Sequence, residues 1–165
     1  MQMQKFHEIE LGKIIDASQS LYTIRGTVGS VAASIVLAVL GTALTAEKAG
    51  LFFIAAGVTL IFIYLDSSIK SAMATHYFRS LELKNQYASN DNDALLSMFT
   101  LTPDAKQYIA KLLDQPEEIR YKKLKNYGLK FRSFPGFWLP LLSAIADIVI
   151  GFWLMFFYQP NWMFF

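Results

Sequence analysis

Three stretches of the chain are apolar almost without a break. The last, Trp138 to Tyr158, reads WLPLLSAIADIVIGFWLMFFY. At 1.5 Å per residue a helix of that length spans about 30 Å, the thickness of a bilayer's hydrocarbon core. Thr27 to Thr45 is the first stretch and Leu51 to Leu65 the second, which extends if Ala49 and Gly50 join it. Glu47-Lys48-Ala49-Gly50 between them reads as a tight turn, so the first two spans form a hairpin. The pattern predicts an all-α integral membrane protein with three transmembrane helices.

The remaining segments alternate at helical spacing. In residues 1–26, Phe6, Ile9, Ile14 (or Ile15), Leu21 and Ile24 recur among Lys5, Lys13 and Arg25. This predicts an amphipathic segment lying along the membrane surface or under a neighbouring subunit. After Asp66, Ile69, Met73, Tyr77, Leu81 (or Ser80) and Tyr87 form an apolar stripe, with Lys70, Arg79, Glu82 and Lys84 elsewhere. No Gly or Pro interrupts it, so the second span is expected to run out of the membrane as one long helix ending near Asn90-Asp91-Asn92. Thr102 is a good N-cap before Pro103 and Asp104, and Asp114 with Pro116 and Glu117 gives a second start. Asn126-Tyr127-Gly128 reads as a helix stop. The predicted helices are 103–114 and 116–127. The expected organisation is an N-terminal amphipathic segment (1–26), a transmembrane hairpin (27–66), a small cytoplasmic helical region (67–133), a third transmembrane segment (134–158) and a tail (159–165).

Composition agrees with a membrane protein: 54% of residues are hydrophobic, 15% aromatic, and the mean hydropathy is +0.33. The fourteen Phe and three Trp suit a lipid-facing surface. Cysteine is absent, which excludes disulfides, thiolate metal sites and a cysteine nucleophile. No cleavable leader is expected, because polar residues including Glu8, Glu10 and Asp16 precede the first apolar run. Lys and Arg number three before the first span, one in the hairpin turn, eleven between the second and third spans, and none after. The positive-inside rule then places the N-terminus and residues 66–133 in the cytoplasm and the C-terminus on the far side. Pro135, Gly136 and Pro140 allow a competing topology in which the last segment is re-entrant.

The chain offers little to an enzyme. His7 and His76 are its two histidines, and His76 stands near Arg79 with no ligand-spaced partner, as a histidine at a helix–helix contact would. No phosphate loop, GxSxG or HExxH is present, so no catalytic residue, cofactor or metal is expected. The basic run Arg120 to Lys125 fits anionic lipid headgroups or a solvated face, and nucleic acid is not an expected partner. Arg25 and Asp66, at the same ends of the first two spans, are candidates for an interfacial salt bridge. Gly29 and Ala33, and Ala38 with Ser34 and Thr42, stand four apart, as close helix packing requires. Asp147 breaks the third span near its middle, where a carboxylate costs about 2.5–3.5 kcal/mol. Leu139 (or Pro140), Ser143, Asp147 and Gly151 (or Ile150) fall on one small, polar face. Two readings of Asp147 stand: a residue of a lumen or ion pathway, or a protonated carboxyl at a helix interface.

Residues 20–90 resemble small bacterial membrane proteins in which a tight hairpin ends in a Leu-Asp pair, here Leu65-Asp66. A long helix follows with an aromatic-Arg-x-Leu element, here Phe78-Arg79-Ser80-Leu81. The chain is in this respect similar to RipA-like membrane proteins and, more loosely, to SLATT-type two-span effectors. The third span departs from the two-span pattern. The resemblance implies a homo-oligomer of the bacterial inner membrane linked to stress, intracellular survival or defence; in such a membrane the charge pattern makes the C-terminus periplasmic. Three helices enclose no aqueous path alone, so a pore-like or scaffolding role calls for several copies. The alternatives are a regulatory or immunity partner of another membrane protein, and a holin-like permeabiliser.

Overall fold

The computed structural model describes residues 2–87, 96–99, 101–130 and 137–157. These form helices α1 (Gln2–Thr45), α2 (Gly50–Tyr87), α3 (Pro103–Ala110), α4 (Glu117–Lys125), α5 (Tyr127–Lys130) and α6 (Trp138–Phe157). The protein is all-α, and α1, α2 and α6 are long and apolar enough to cross a membrane. In α6, Pro140 sits in the first turn, where its missing N–H leaves no intrahelical bond unmade. Phe131, Arg132 and Phe134 of the expected re-entry segment, and the tail, lie outside the described residues.

The chain divides into two compact units. The first comprises Met1–Arg25 and Ser67–Phe131, the second Gly26–Asp66 and Arg132–Phe165. In the first unit, Leu11 and Ile15 of α1 are buried with Ala74, Tyr77 and Phe78 of α2 and Ile109 and Leu112 around α3. The N-terminal segment is therefore not a detached surface helix, but the face it buries is not the whole expected stripe. Ile15 enters the core with Leu11, which the stripe left out, Ile14 packs against it, and Ile9 and Ile24 are exposed. Tyr77 and Phe99 meet edge to face at 5.3 Å. Thr102 caps α3 by accepting the Ala105 N–H at 3.3 Å, with Pro103 at the helix start.

The two short helices end earlier than their sequence signals suggest. Helix α3 stops at Ala110, where the Leu112 and Leu113 N–H groups turn to the carbonyls of Ile109 and Ala110. Helix α4 breaks at Asn126 (φ −94°, ψ 6°), and the chain resumes in α5. The stop expected at Asn126-Tyr127-Gly128 falls at Asn126, and Gly128 does not take a left-handed conformation, since no described glycine has positive φ. Its role is close approach. Its N–H donates to Ser71 Oγ at 3.0 Å, and that hydroxyl lies 3.0 Å from the Lys125 carbonyl and 3.1 Å from the Ser67 carbonyl.

In the second unit, α1 ends in a tight reversal. Lys48 N–H donates to the Ala43 carbonyl at 3.0 Å, and Glu47 takes the left-handed conformation (φ 53°) usually held by glycine. Ala43, Ala49, Phe52 and Leu154 form a small core there. Helix α6 runs antiparallel to α2: Leu154 packs at the level of Phe52, while Leu139 and Ser143 share a groove with Thr59 and Phe62. Its buried face is Ala144, Asp147, Gly151 and Leu154. Phe53 and Phe152 meet edge to face at 5.0 Å. The hydroxyls of Ser34, Thr42, Thr45 and Thr59 each donate to the carbonyl four residues earlier in the same helix, at 2.9 to 3.1 Å.

Candidate functional site

Two places gather the residues on which function can rest, one in each unit. In the second unit the acidic residue of α6 is turned inward. Asp147 is 6% exposed, and its Oδ2 is buried without a hydrogen-bond partner among the described residues. Ala144 and Gly151, three before it and four after, are buried on the same face. A Cβ on Gly151 would stand 3.1 Å from Phe53 Cζ and 3.2 Å from Phe52 Cβ, so α2 and α6 approach here because the residue is glycine. By antiparallel register Asp147 lies level with Ala55, Ala56 and Thr59, all buried. The Thr59 hydroxyl already donates to the Ala55 carbonyl. Asp147 is thus enclosed by the packing of its own chain.

Ser143 does not share that enclosure. It is exposed and lines a groove of about 360 Å³ with Gly29, Ala33, Thr59, Phe62 and Pro140. The predicted polar face of α6 is therefore split between an interior residue and a groove residue, because the buried spacing runs 144, 147, 151 and 154. Gly29 meets the ring of Phe62, with a Cβ there 3.5 Å from Phe62 Cε2. Ala33 and Ala38 are exposed, as are Val31, Ile35 and Leu37. Gly29 and Ala33 of the small-residue row thus border the groove, and Ala33 and Ala38 keep their surface exposed. Arg25 is partly buried in the first unit, and Asp66 is buried in the second.

In the first unit, His76 and Arg79 line a cleft of about 440 Å³ with Glu82, Glu117, Arg120 and Tyr121. Each oxygen of Glu82 faces one arginine: Oε2 lies 3.4 Å from Arg79 Nη1, and Oε1 lies 3.2 Å from Arg120 Nη1. Arg79 Nη2 also stands 3.4 Å from Glu10 Oε1. The Arg120 guanidinium lies 5.9 Å over the Phe78 ring, and its Nε donates to the Gln115 carbonyl. This network ties α1, α2 and α4 together. Arg79 keeps 48% of its side chain exposed, so its pairs are weak ones. Glu10, Glu82 and Arg120 carry no sequence signal as a set; the one hint is the spacing of three from Arg79 to Glu82. Among the described residues, no three His, Asp or Glu side chains gather as a metal site.

No family model matches this chain, and neither a curated protein nor a solved structure is significantly similar to it.

Proposed function

We propose that the chain is a homo-oligomeric scaffolding protein of the bacterial inner membrane, whose copies pack through α1. The observation that carries this reading is the outward small-residue row of α1, with Ala33 and Ala38 exposed beside Gly29. Helices in a bilayer associate where small residues let backbones come close; Gly29 meets Phe62 of its own unit, while Ala33 and Ala38 remain exposed for a second copy. The orientation follows from the charge pattern: the N-terminus and residues 66–133 on the cytoplasmic side, the C-terminus periplasmic. The enclosure of Asp147 favours the scaffold over the pore. A carboxyl packed inside its own protomer does not line a lumen between copies. The resemblance to RipA-like proteins is compatible with this role and supplies no site residue.

The test is native mass in a mild detergent. Wild type is expected to run as several copies, and Gly29→Leu and Ala33→Leu to dissociate it. A monomeric wild type would favour the second reading, a regulatory or immunity partner of another membrane protein. An unchanged mass in both variants would move the interface off α1. Reporter fusions after Asn90 and after Phe165 should report opposite sides.

A further inference from the structure

Helix α4 carries Lys122, Lys123 and Lys125 in its last turn, and contacts within the first unit fix where that turn lies along α2. The Lys125 carbonyl accepts from Ser71 Oγ, and Gly128, three residues on, presses on the backbone of Ser67. Ser67 is the second residue after Leu65, where the apolar run of α2 ends. Ser71 is the sixth, about 9 Å further along the helix. The headgroup layer outside the hydrocarbon core is about 5–8 Å deep on each side. Counted from Leu65, Ser67 lies about 3 Å and Ser71 about 9 Å out, so the contacts with α2 hold the end of α4 across the headgroup layer and at its outer edge. Its side chains sort accordingly. Lys123 is turned to Gln115 Oε1. Lys122 and Lys125, one turn apart, are exposed, as is Tyr121 beside them. The acidic residues of the helix, Glu117 and Glu118, stand in its first turn, at the other end.

We propose that Lys122 and Lys125 form a binding surface for anionic phospholipid headgroups, with Tyr121 as the interfacial ring beside them. Cations at a helix C-terminus also complement its dipole, but that role asks for no particular depth. A fixed position just past the end of a span does place them in the negative potential of an anionic leaflet, where each lysine contributes about 1 kcal/mol. Exposed aromatic rings of this kind favour the same layer. The proposal rests on α2 spanning the bilayer and is independent of copy number.

The experiment uses the full chain in nanodiscs of phosphatidylcholine, with and without phosphatidylglycerol. An amine-reactive acylating reagent is added, and labelling of each lysine is read by peptide mass spectrometry. Lys122 and Lys125 should label several-fold more slowly in the anionic discs, with the protection lost at high salt. The double variant Lys122→Gln, Lys125→Gln should retain phosphatidylglycerol through detergent exchange less well, by about fivefold per lysine removed. Equal labelling in both discs would overturn the proposal, as would protection by added RNA in place of phosphatidylglycerol. Native mass of the same samples scores the assembly reading separately, since a monomer with protected lysines would refute assembly and leave the lipid surface standing.

Discussion

Gly128 and Ser67 touch backbone to backbone. A Cβ on Gly128 would overlap the Ser67 carbonyl and come within 2.8 Å of Ser67 Cα. Neither atom can swing away as a side-chain tip would, so Gly128→Ala must push α5 off α2. The substitution should cost about 2–3 kcal/mol. Gly12→Ala meets nothing within 4 Å and should stabilise α1 by about 0.5–1 kcal/mol. Thermal unfolding of the two variants in one detergent checks the pair. Equal stability would show that α5 yields at no cost.

Glu47 occupies a left-handed position at the end of α1, with its side chain exposed. That conformation costs a residue with a Cβ about 1–2 kcal/mol, part of which glycine returns through its freer unfolded chain. Glu47→Gly should therefore raise stability by about 0.5–1 kcal/mol. Unfolding by denaturing detergent measures it, and a loss would mean that the carboxylate makes a contact in the hairpin that outweighs the strain.

Asp147 carries a buried oxygen with no partner among the described residues, a cost of about 1–3 kcal/mol for a neutral group and more for a charged one. Asp147→Asn keeps the shape and removes the ionisable group. It should preserve native mass, leave liposome ion flux unchanged, and stabilise the protein by about 1 kcal/mol. A less stable variant would show that another copy supplies a partner to the carboxylate. Altered flux would restore the reading of a pathway residue.

Tyr127 contributes to the alkaline sensitivity of the first unit, beside Tyr77, whose hydroxyl burial also pushes up. Burial, with Tyr108 beside it at 6.4 Å between rings, pushes the Tyr127 hydroxyl up from 10.0 to about 12. The unfolded chain then loses this proton before the folded one does. Stability should fall as pH rises through 10 and level off near 12, because the folded state binds more protons in that interval. Tyr127→Phe should flatten this part of the profile. A slope unchanged in the variant would assign the loss to another group.

What could be read from the sequence follows from what each signal measures. The three spans were legible because a bilayer demands about 20 apolar residues, and Trp138 to Phe157 meets that demand whatever packs against it. Thr102 was legible because a cap is local: hydroxyl, proline and the next N–H lie within four residues. The N-terminal segment was half legible. The expected stripe includes Ile14 (or Ile15) but also the exposed Ile9 and Ile24 and not the buried Leu11, because a helical period alone does not say which of two neighbouring faces protein covers. The stop at Asn126-Tyr127-Gly128 is legible, but the use of Gly128 is not, because a glycine there serves either a left-handed turn or close approach. The second depends on Ser67, sixty-one positions away. Ser143 was placed with Asp147 by four-residue spacing, yet the buried face of α6 steps by three and then four. The pairing of Glu82 with both arginines draws on α2 and α4, and Glu10 of α1 joins it through Arg79, so no single segment encodes it.

The intrahelical bonds of Ser34, Thr42, Thr45 and Thr59 bear on how the protein is made. A hydroxyl that waits for a neighbouring helix leaves its donor unsatisfied during entry into lipid, so its helix is costly to insert alone. These hydroxyls are satisfied within their own turn of helix, before any neighbour arrives. In α1 and α2 they impose no obligatory order of events. Each of these segments can leave the translocon as a finished helix, and the partner that later packs against it is selected by contour and not by an unpaired proton.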